Sequence, residues 1–396
     1  MDKMINLLYV LGVWGNGGIE KVITTYCNNL PQEKYKIEIF TLRKETSVFD
    51  VELERLGIPI FCPTKNIEGS FWQKNKIRQE SFLAAALQKQ YDIVHYHNSF
   101  GIVYLYLKEL KKRNPNCKIV LHSHGDDAEA PYLILKRIYN NIAKRLYKDI
   151  PDFNVACSDN AGKWLFSNKI YNSNKYKTII NAFDTKAYCF DWAKRKEIHE
   201  ELQISSVPVL GTIGRFCYQK NPEYILEILQ GLDKVGFDFR FIWIGEGEMK
   251  QDIIQKASKA GLDGKIYFIT STDNVQGYLS SMDAFILPSR YEGLVLALIE
   301  ALCAGLTSYV SEHITRELQL TDKIQYLPIT SVDMWVQRIL NDVRNGKIVY
   351  RKEGEIVKFR RYPESEIAKS KFNLKEMMEN VERVYEVLLE QELFNG

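Results

Sequence analysis

Two carboxylates, Glu292 and Glu300, stand eight positions apart in a segment that reads as strand, loop and helix. Ala284 to Leu287 is a short apolar run closed by Pro288, which suits a buried strand of a parallel sheet. Leu294 to Ala304 is apolar all round except for Glu300, and Gly305 stops it. So oily a helix must be buried, and burying an unpaired carboxylate costs on the order of several kcal/mol, so Glu300 needs a hydrogen-bonding partner. Glu292 falls in the loop at the carboxyl end of the strand, where open α/β sheets hold ligands. A helix beginning near Gly293 and running on through Leu294 and Val295 turns free N–H groups and a positive dipole end towards that loop, an arrangement that favours phosphate. With that start, Glu300 lies two turns, about 11 Å, beyond the loop carboxylate. The separation suits different parts of one extended ligand, such as a nucleotide sugar.

A second set of charges lies earlier. Val209–Ile213 reads as a strand, followed by Gly214, Arg215 and Lys220, and then by a helix started by Asn221 and Pro222. Two fixed cations at the carboxyl end of a strand attract anions. A planar arginine fork and a lysine point charge together suit a diphosphate. Gly245-Glu-Gly-Glu248 repeats the strand, glycine and helix arrangement, with Glu246 and Glu248 near a helix start, where they favour the dipole. At the other end of the chain, Gly15, Gly17 and Gly18 let the backbone pass close to a ligand and open a helix around Ile19. Their spacing is not Gly-x-Gly-x-x-Gly, and no acidic residue closes a second strand at the distance a dinucleotide site requires.

Histidines come in two pairs, His95 with His97 and His122 with His124, each at the carboxyl end of an expected strand. Residues i and i+2 share a strand face, so two metal ligands from each strand are conceivable. No nearby cysteine or carboxylate pattern completes a coordination set, and no Asp-x-Asp occurs anywhere, so no metal and no cofactor is expected. His122 is kept as a functional candidate, a hydrogen-bonding role being the plainer alternative for either pair.

These groups need a scaffold. Strand-like runs at 5–11, 37–42, 58–61, 93–97, 118–122, 153–157 and 177–180 alternate with helical patterns. A second series runs through 209–213, 239–244, 265–269, 284–287, 307–310 and 323–327. Such alternation means parallel sheets with helices on both faces, hence an α/β chain of two doubly wound, Rossmann-like domains. The expected limits are 1–187 and 188–371, with 372–396 as a closing amphipathic helix bearing Met377, Met378, Val381, Val384, Tyr385 and Leu388 on one side. At 396 residues and 45% hydrophobic the chain can build two cores, and a net charge of +3 is too small to argue for nucleic acid. Seven scattered cysteines with no Cys-x-x-Cys pair speak for a reducing, cytoplasmic setting. The N-terminus reads as a first strand and not as a signal peptide, and no run approaches the ~18 apolar residues of a spanning helix. Residues 131–148 combine Lys136, Arg137, Lys144, Arg145 and Lys148 with Leu, Ile and Tyr. A solvated charged face explains them; the sharper alternative is a peripheral contact with an anionic membrane on the inner side of the plasma membrane.

Taken jointly, Gly17-Gly18-x-Glu20, His122, Gly214-Arg215-Phe216 with Gln219-Lys220-Asn221, Gly245-x-Gly247-Glu248 and Glu292-x7-Glu300 run the length of the chain. In these motifs it resembles the retaining glycosyltransferases of family 4, of GT-B fold, in their bacterial polysaccharide-building branch. The resemblance implies two Rossmann-like domains facing a cleft, with the closing helix crossing back onto the first. It implies that Arg215 and Lys220 hold the diphosphate of a nucleotide-sugar donor such as a UDP-sugar, that Glu300 takes the ribose hydroxyls, and that Glu292 contacts the transferred sugar. The backbone from Gly293 through Leu294 and Val295 to Leu296 would meet the distal phosphate, Asn274 and Val275 would face the base, and His122 would lie by the reacting sugar. Gly17 and Gly18 would border the donor phosphates and a saccharide, lipid-linked acceptor. Val295 stands where the family often has proline, and Ile269-Thr270-Ser271 where it often has a glycine. Two rivals share the architecture: a UDP-sugar epimerase, which needs no acceptor, and a nucleotide-sugar-binding partner subunit without turnover. The Glu292–Glu300 spacing beside the Arg–Lys loop favours transfer.

Overall fold

Apolar runs too short for helices lie side by side in both halves of the chain, and every pairing among them is parallel. The computed structural model describes residues 4–62, 70–98, 100–125, 134–204, 206–270, 272–292, 295–316, 319, 321–360 and 372–393. The first unit takes residues 1–183 together with 372–396, and the second takes 184–371. The first contains β1 (Ile5–Trp14), β2 (Tyr35–Lys44), β3 (Ile60–Phe61), β4 (Ile93–Asn98), β5 (Lys118–Ser123), β6 (Phe153–Ala156) and β7 (Tyr176–Thr178), in the order β3-β2-β1-β4-β5-β6-β7. The second contains β8 (Val209–Ile213), β9 (Arg240–Ile244), β10 (Ile266–Ile269), β11 (Ala284–Leu287), β12 (Thr307–Ser311) and β13 (Ile324–Leu327), in the order β10-β9-β8-β11-β12-β13. Both sheets are doubly wound, with strand order reversing between β1 and β4 and between β8 and β11.

Two expectations shift. The strand expected over 58–61 shrinks to Ile60 and Phe61, because Pro59 has no N–H to offer the ladder at this sheet edge. The divide between units falls before 187. Asp184 caps a short 3-10 turn, Thr185–Tyr188, by accepting from the Lys186 amide at 3.0 Å, and that turn packs beside the helix Leu296–Cys303 of the second unit.

In the first sheet the alternation of a strand separates two surfaces. Leu8, Val10, Val94, Tyr96, Ile119 and Leu121 point into a core with Phe82, Val103, Leu107 and Leu110. Tyr9, His95, His97 and His122 occupy the other face, which the helix Gly18–Asn29 covers through Tyr26. The closing helix, Leu374–Leu393, joins that same face. Met377, Met378, Val381, Val384, Tyr385 and Leu388 are all buried, while Lys177 donates to Asn380 at 2.6 Å and Lys34 pairs with Glu386 at 2.6 Å. Trp243, Phe241, Leu210, Ile286 and Tyr309 form the corresponding core of the second sheet with Ile225, Ile228, Leu229, Trp335 and Ile339.

The loops after β8 and β9 are pressed together. Gly214 N donates to Ile244 O at 3.0 Å and Phe216 N to Glu246 O at 2.8 Å. Gly245 takes φ +153°, and a Cβ there would lie 2.0 Å from the carbonyl oxygen of Gly214. Gly245→Ala therefore meets both a forbidden backbone conformation and a clash with main chain. It should destabilise the second unit by at least about 1–3 kcal/mol, read as a lowered urea midpoint; an unchanged midpoint would mean that the loop contact is loose.

Candidate active site

β8 and β11 are neighbours, with Leu210 opposite Ala284 and Gly211 opposite Phe285, so the loops that follow them leave the sheet side by side. Hydrogen bonds sew those loops together. Lys220 Nζ donates to Glu292 Oε1 at 2.5 Å, and Gln219 Nε2 donates to Glu292 Oε2 at 3.2 Å and to Tyr291 O at 3.1 Å. Arg290 N donates to Gln219 O at 2.8 Å, and its guanidinium donates to Tyr218 O at 2.6 Å while stacking 4.1 Å over the Tyr218 ring. Asn221 precedes the helix Pro222–Lys234 as expected but does not cap it. Its backbone is left-handed, φ +56°, which asparagine tolerates, and its amide donates to Pro288 O at 3.2 Å, adding a further stitch to the β11 loop. Arg215 stays exposed and makes no ion pair among the described residues. Glu246 is taken up by Lys250 at 2.7 Å, and Glu248 is exposed.

The helix carrying Glu300 starts at Leu296 and not near Gly293; Val295 sits at its N-cap with φ −92° and ψ 90°, and Leu298 N bonds back to Val295 O at 3.2 Å. Gly293 and Leu294 lie outside the described residues. Glu300, 6% exposed, is thus the fifth residue of the helix, about 6 Å along its rise and not two turns beyond a start at Gly293. Asn274 caps the helix Val275–Ser281, its side chain accepting from Gly277 N at 3.1 Å, so of the expected base-facing pair the asparagine side chain is already engaged.

In the first unit, the glycine loop bends around a carboxylate of its own helix. Glu20 Oε1 accepts from Gly15 N at 3.0 Å, and a Cβ on Gly17 would lie 2.6 Å from Glu20 Oε2, so Gly17 makes room for Glu20. Gly18 opens the helix with Gly17 at its N-cap.

The two histidine pairs form one array, with His95, His97 and His122 buried and His124 half-buried. His95 Nε2 and His122 Nδ1 are 3.2 Å apart, His97 Nδ1 and His124 Nε2 2.7 Å. His95 Nδ1 meets the hydroxyl of Tyr385 at 2.6 Å, and that hydroxyl meets Tyr9's at 3.2 Å. His97 Nε2 and His122 Nε2 are buried without a hydrogen-bond partner among the described residues. Burial, and then mutual repulsion, holds His95, His97 and His122 well below the usual imidazole pKa, and burial pushes His124 down to about 3. The four rings are therefore neutral near pH 7. Nitrogens of His95, His97 and His122 lie within 4.8 Å of one another. Two nitrogens of this cluster, His95 Nε2 and His122 Nδ1, already face one another at hydrogen-bonding distance.

The basic segment folds as a helix over Ile134–Leu146, residues 131–133 lying outside the described residues. Lys144 does not belong to a solvated face: it donates to the carbonyls of Lys163 and Trp164 at 3.0 and 3.3 Å. Lys148 pairs with Asp149 at 2.8 Å. What the helix does expose is Arg137 and Arg145 beside Ile138, Ile142 and Leu146.

With this geometry in place, two family models match the chain in succession: Glycosyltransferase Family 4 over residues 16–187 and Glycosyl transferases group 1 over residues 194–315. The chain belongs to the family 4 glycosyltransferases. It is similar to the capsular polysaccharide biosynthesis glycosyltransferase CapH of Staphylococcus aureus, at 24% identity over 78% of this chain and 83% of that one. It is also similar to the UDP-Gal:alpha-D-GlcNAc-diphosphoundecaprenol alpha-1,3-galactosyltransferase of Escherichia coli, at 26% identity over 74% and 76%. In fold it is like Anabaena Alr3699/HepE, solved in complex with UDP-glucose, with a TM-score of 0.73 at 14% identity, covering 98% of this chain and all of that one. The fold of this glycosyltransferase is GT-B.

In this glycosyltransferase no sequence motif marks Arg290, which clamps the loop after β8, whereas Gln219 stands beside Lys220 and its role could be expected from that position. Tyr385 was read only as part of an apolar stripe; nothing local in the sequence couples it to His95, 290 positions away.

The neutral array has a consequence for stability. An unfolded histidine titrates near ~6.5 while the native ones are held lower, so the unfolded chain binds more protons below that pH. The stabilisation is fully present above about pH 6.5 and is lost as pH falls towards the native values, at up to about 1.4 kcal/mol per pH unit for each ring. Urea midpoints should be level from about pH 8 to 7 and fall between about 6.5 and 5, before most carboxylates titrate; a level midpoint across that window would show that the rings are charged in the native state.

Proposed function

We propose that this glycosyltransferase is a retaining, metal-independent enzyme that moves a sugar from a UDP-sugar to a lipid-linked saccharide in the synthesis of a cell-surface polysaccharide. One observation carries the reading: Lys220, Gln219 and Glu292 meet between the loops of β8 and β11, with Arg215 exposed on the first of those loops. Lysine has three N–H donors and Glu292 takes one, which leaves two for phosphate oxygens. Lys220 and Arg215 then hold the diphosphate, Glu292 the transferred sugar and Glu300 the ribose hydroxyls. The backbone of Val295 and Leu296 meets the distal phosphate, and the backbone of Asn274 and Val275 the base. His122 is the group beside the reacting sugar, and the Gly17–Gly18 loop borders the acceptor. The bond from the anomeric carbon to the phosphate oxygen breaks, the acceptor hydroxyl oxygen attacks the same face, and its proton passes to the departing phosphate. Charge grows on the diphosphate as the bond breaks, and preorganised cations stabilise it there. The names of the Staphylococcus aureus and Escherichia coli relatives supply the pathway class and a UDP-sugar and diphospholipid precedent.

A lipid-linked acceptor is met at a membrane surface. Ile138, Ile142 and Leu146 are 51%, 53% and 66% exposed, spaced so that they share one helix face, and Arg137 and Arg145 flank them. Apolar side chains between exposed arginines suit the headgroup boundary of an anionic bilayer, each arginine adding about 1 kcal/mol. Among the described residues no helix is long and apolar enough to cross a membrane.

Two measurements test these readings. Arg215→Ala and Lys220→Ala, assayed in EDTA with UDP-sugars and a lipid-linked saccharide, should each lose about 10²-fold or more in turnover while the parent enzyme keeps its rate. Full activity in both variants would remove the diphosphate assignment, and loss of parent activity that magnesium restores would remove metal independence. Separately, the protein should co-sediment with phosphatidylglycerol vesicles and much less with phosphatidylcholine, and Ile142→Glu should weaken that binding. Indifference to anionic lipid would end the membrane reading.

A further inference from the structure

The hydroxyls of Tyr9 and Tyr385 and the rings of His95 and His122 form one unbranched chain, with contacts of 3.2, 2.6 and 3.2 Å. All four side chains are buried, so each hydrogen must be matched from within the chain. A neutral imidazole carries one N–H and one lone pair, and the choice at one end propagates to the other.

Only two directions are open. In one, Tyr9 donates to Tyr385, Tyr385 to His95 Nδ1, and His95 Nε2–H to His122 Nδ1, which puts the His122 proton on Nε2. In the other every bond reverses, His122 Nε2 is bare, and the hydroxyl hydrogen of Tyr9 has no acceptor among the described residues. Each direction leaves one buried hydrogen without an acceptor, that of His122 Nε2 in the first and that of Tyr9 in the second, but the second also leaves His122 Nε2 as an unmatched acceptor, so the first is favoured by one group.

We propose that Tyr385, on the closing helix, is a positioning residue that fixes through His95 the tautomer of His122, so that His122 presents an N–H at Nε2. The consequence for chemistry rests on the reading of His122 as the group beside the reacting sugar. A protonated Nε2 donates a hydrogen bond to a sugar or phosphate oxygen, and it cannot serve as the base that takes the acceptor proton. The low pKa of the ring agrees, since a neutral imidazole needs a tautomer choice and an imidazolium does not.

The counting separates the two tyrosines. Without the Tyr9 hydroxyl, Tyr385 still donates to His95, and reversal would still orphan a hydroxyl hydrogen, so the tautomer holds. Without the Tyr385 hydroxyl, either direction leaves His95 Nδ1 unmatched, and the two tautomers mix.

The test is nitrogen-15 NMR of the full chain labelled at its six histidines, with His122 assigned through His122→Gln. The parent and Tyr9→Phe should show His122 protonated at Nε2. Tyr385→Phe should shift part of the population to Nδ1 and lower kcat about tenfold with little change in KM. Tyr9 and Tyr385 are equally buried, so a purely structural role would affect both variants alike. His122 found protonated at Nδ1 in the parent, or the same spectrum in Tyr385→Phe as in the parent, would overturn the relay. Full activity of His122→Gln would overturn the sugar-site reading alone, because the tautomer is measured without substrate.

Discussion

Parallel pairing of β8 with β11 is the constraint from which the second unit's chemistry follows. Neighbouring parallel strands must release their loops at the same end, and here the two loops meet through the side chains of Lys220, Gln219, Asn221 and Arg290. Lys220 and Glu292 are only 18% and 6% exposed in their side chains, so each charge needs the other. Removing one partner of such a pair leaves an uncompensated charge, at a cost of about 3–5 kcal/mol, whereas a ligand that brings its own oxygens can share the ammonium. In the proposed reading, a loop held by the group that it offers to a diphosphate needs little reorganisation when that ligand arrives.

The first unit solves the opposite problem. Four imidazoles and four phenols gather against one face of its sheet where aliphatic side chains would pack as well. Burial makes charge on any of them expensive, and the cluster answers by remaining neutral and pairing ring to ring and ring to hydroxyl. Neutral partners confer no long-range field, but they do confer direction, because each hydrogen can be used once. The closing helix supplies the hydroxyl that links His95 to Tyr9, which gives residues 372–396 a polar reason, beside the apolar one, to belong with residues 1–183.

Most of the architecture was legible because buried parallel strands read as apolar runs whatever their surroundings. All thirteen expected strands occur, and β8 and β11 keep their expected limits. The charged loop was legible too, since arginine and lysine between a strand and a proline-started helix are local facts. What escaped was set by contacts remote in sequence or by backbone choices that composition underdetermines. The helix start moved to Leu296 because Val295 holds an extended backbone, and an apolar stretch does not announce its first turn. Asn221 carried the signature of a cap, yet its side chain bonds to Pro288, a partner 67 positions on. Lys144 looked solvated until Lys163 and Trp164 were brought to it.

The two electrostatic regimes divide the work of the proposed reaction. Bond breaking leaves added negative charge on the diphosphate, and only a group that is already cationic can stabilise it without first capturing a proton. His122 cannot be that group, because the burial and repulsion that depress its pKa keep it neutral over the range in which most enzymes operate. In the proposed reaction the compensating charge then comes from Arg215 and Lys220. Lys220 is already partly spent on Glu292, which makes Arg215, exposed and without an ion pair among the described residues, the larger uncommitted charge of the two. In the proposed reaction the acceptor proton likewise goes to the phosphate. With the proposed tautomer, Nε2 of His122 bears hydrogen and the Nδ1 lone pair is engaged by His95, whereas a departing diphosphate gains basicity at the moment the acceptor hydroxyl must lose its proton.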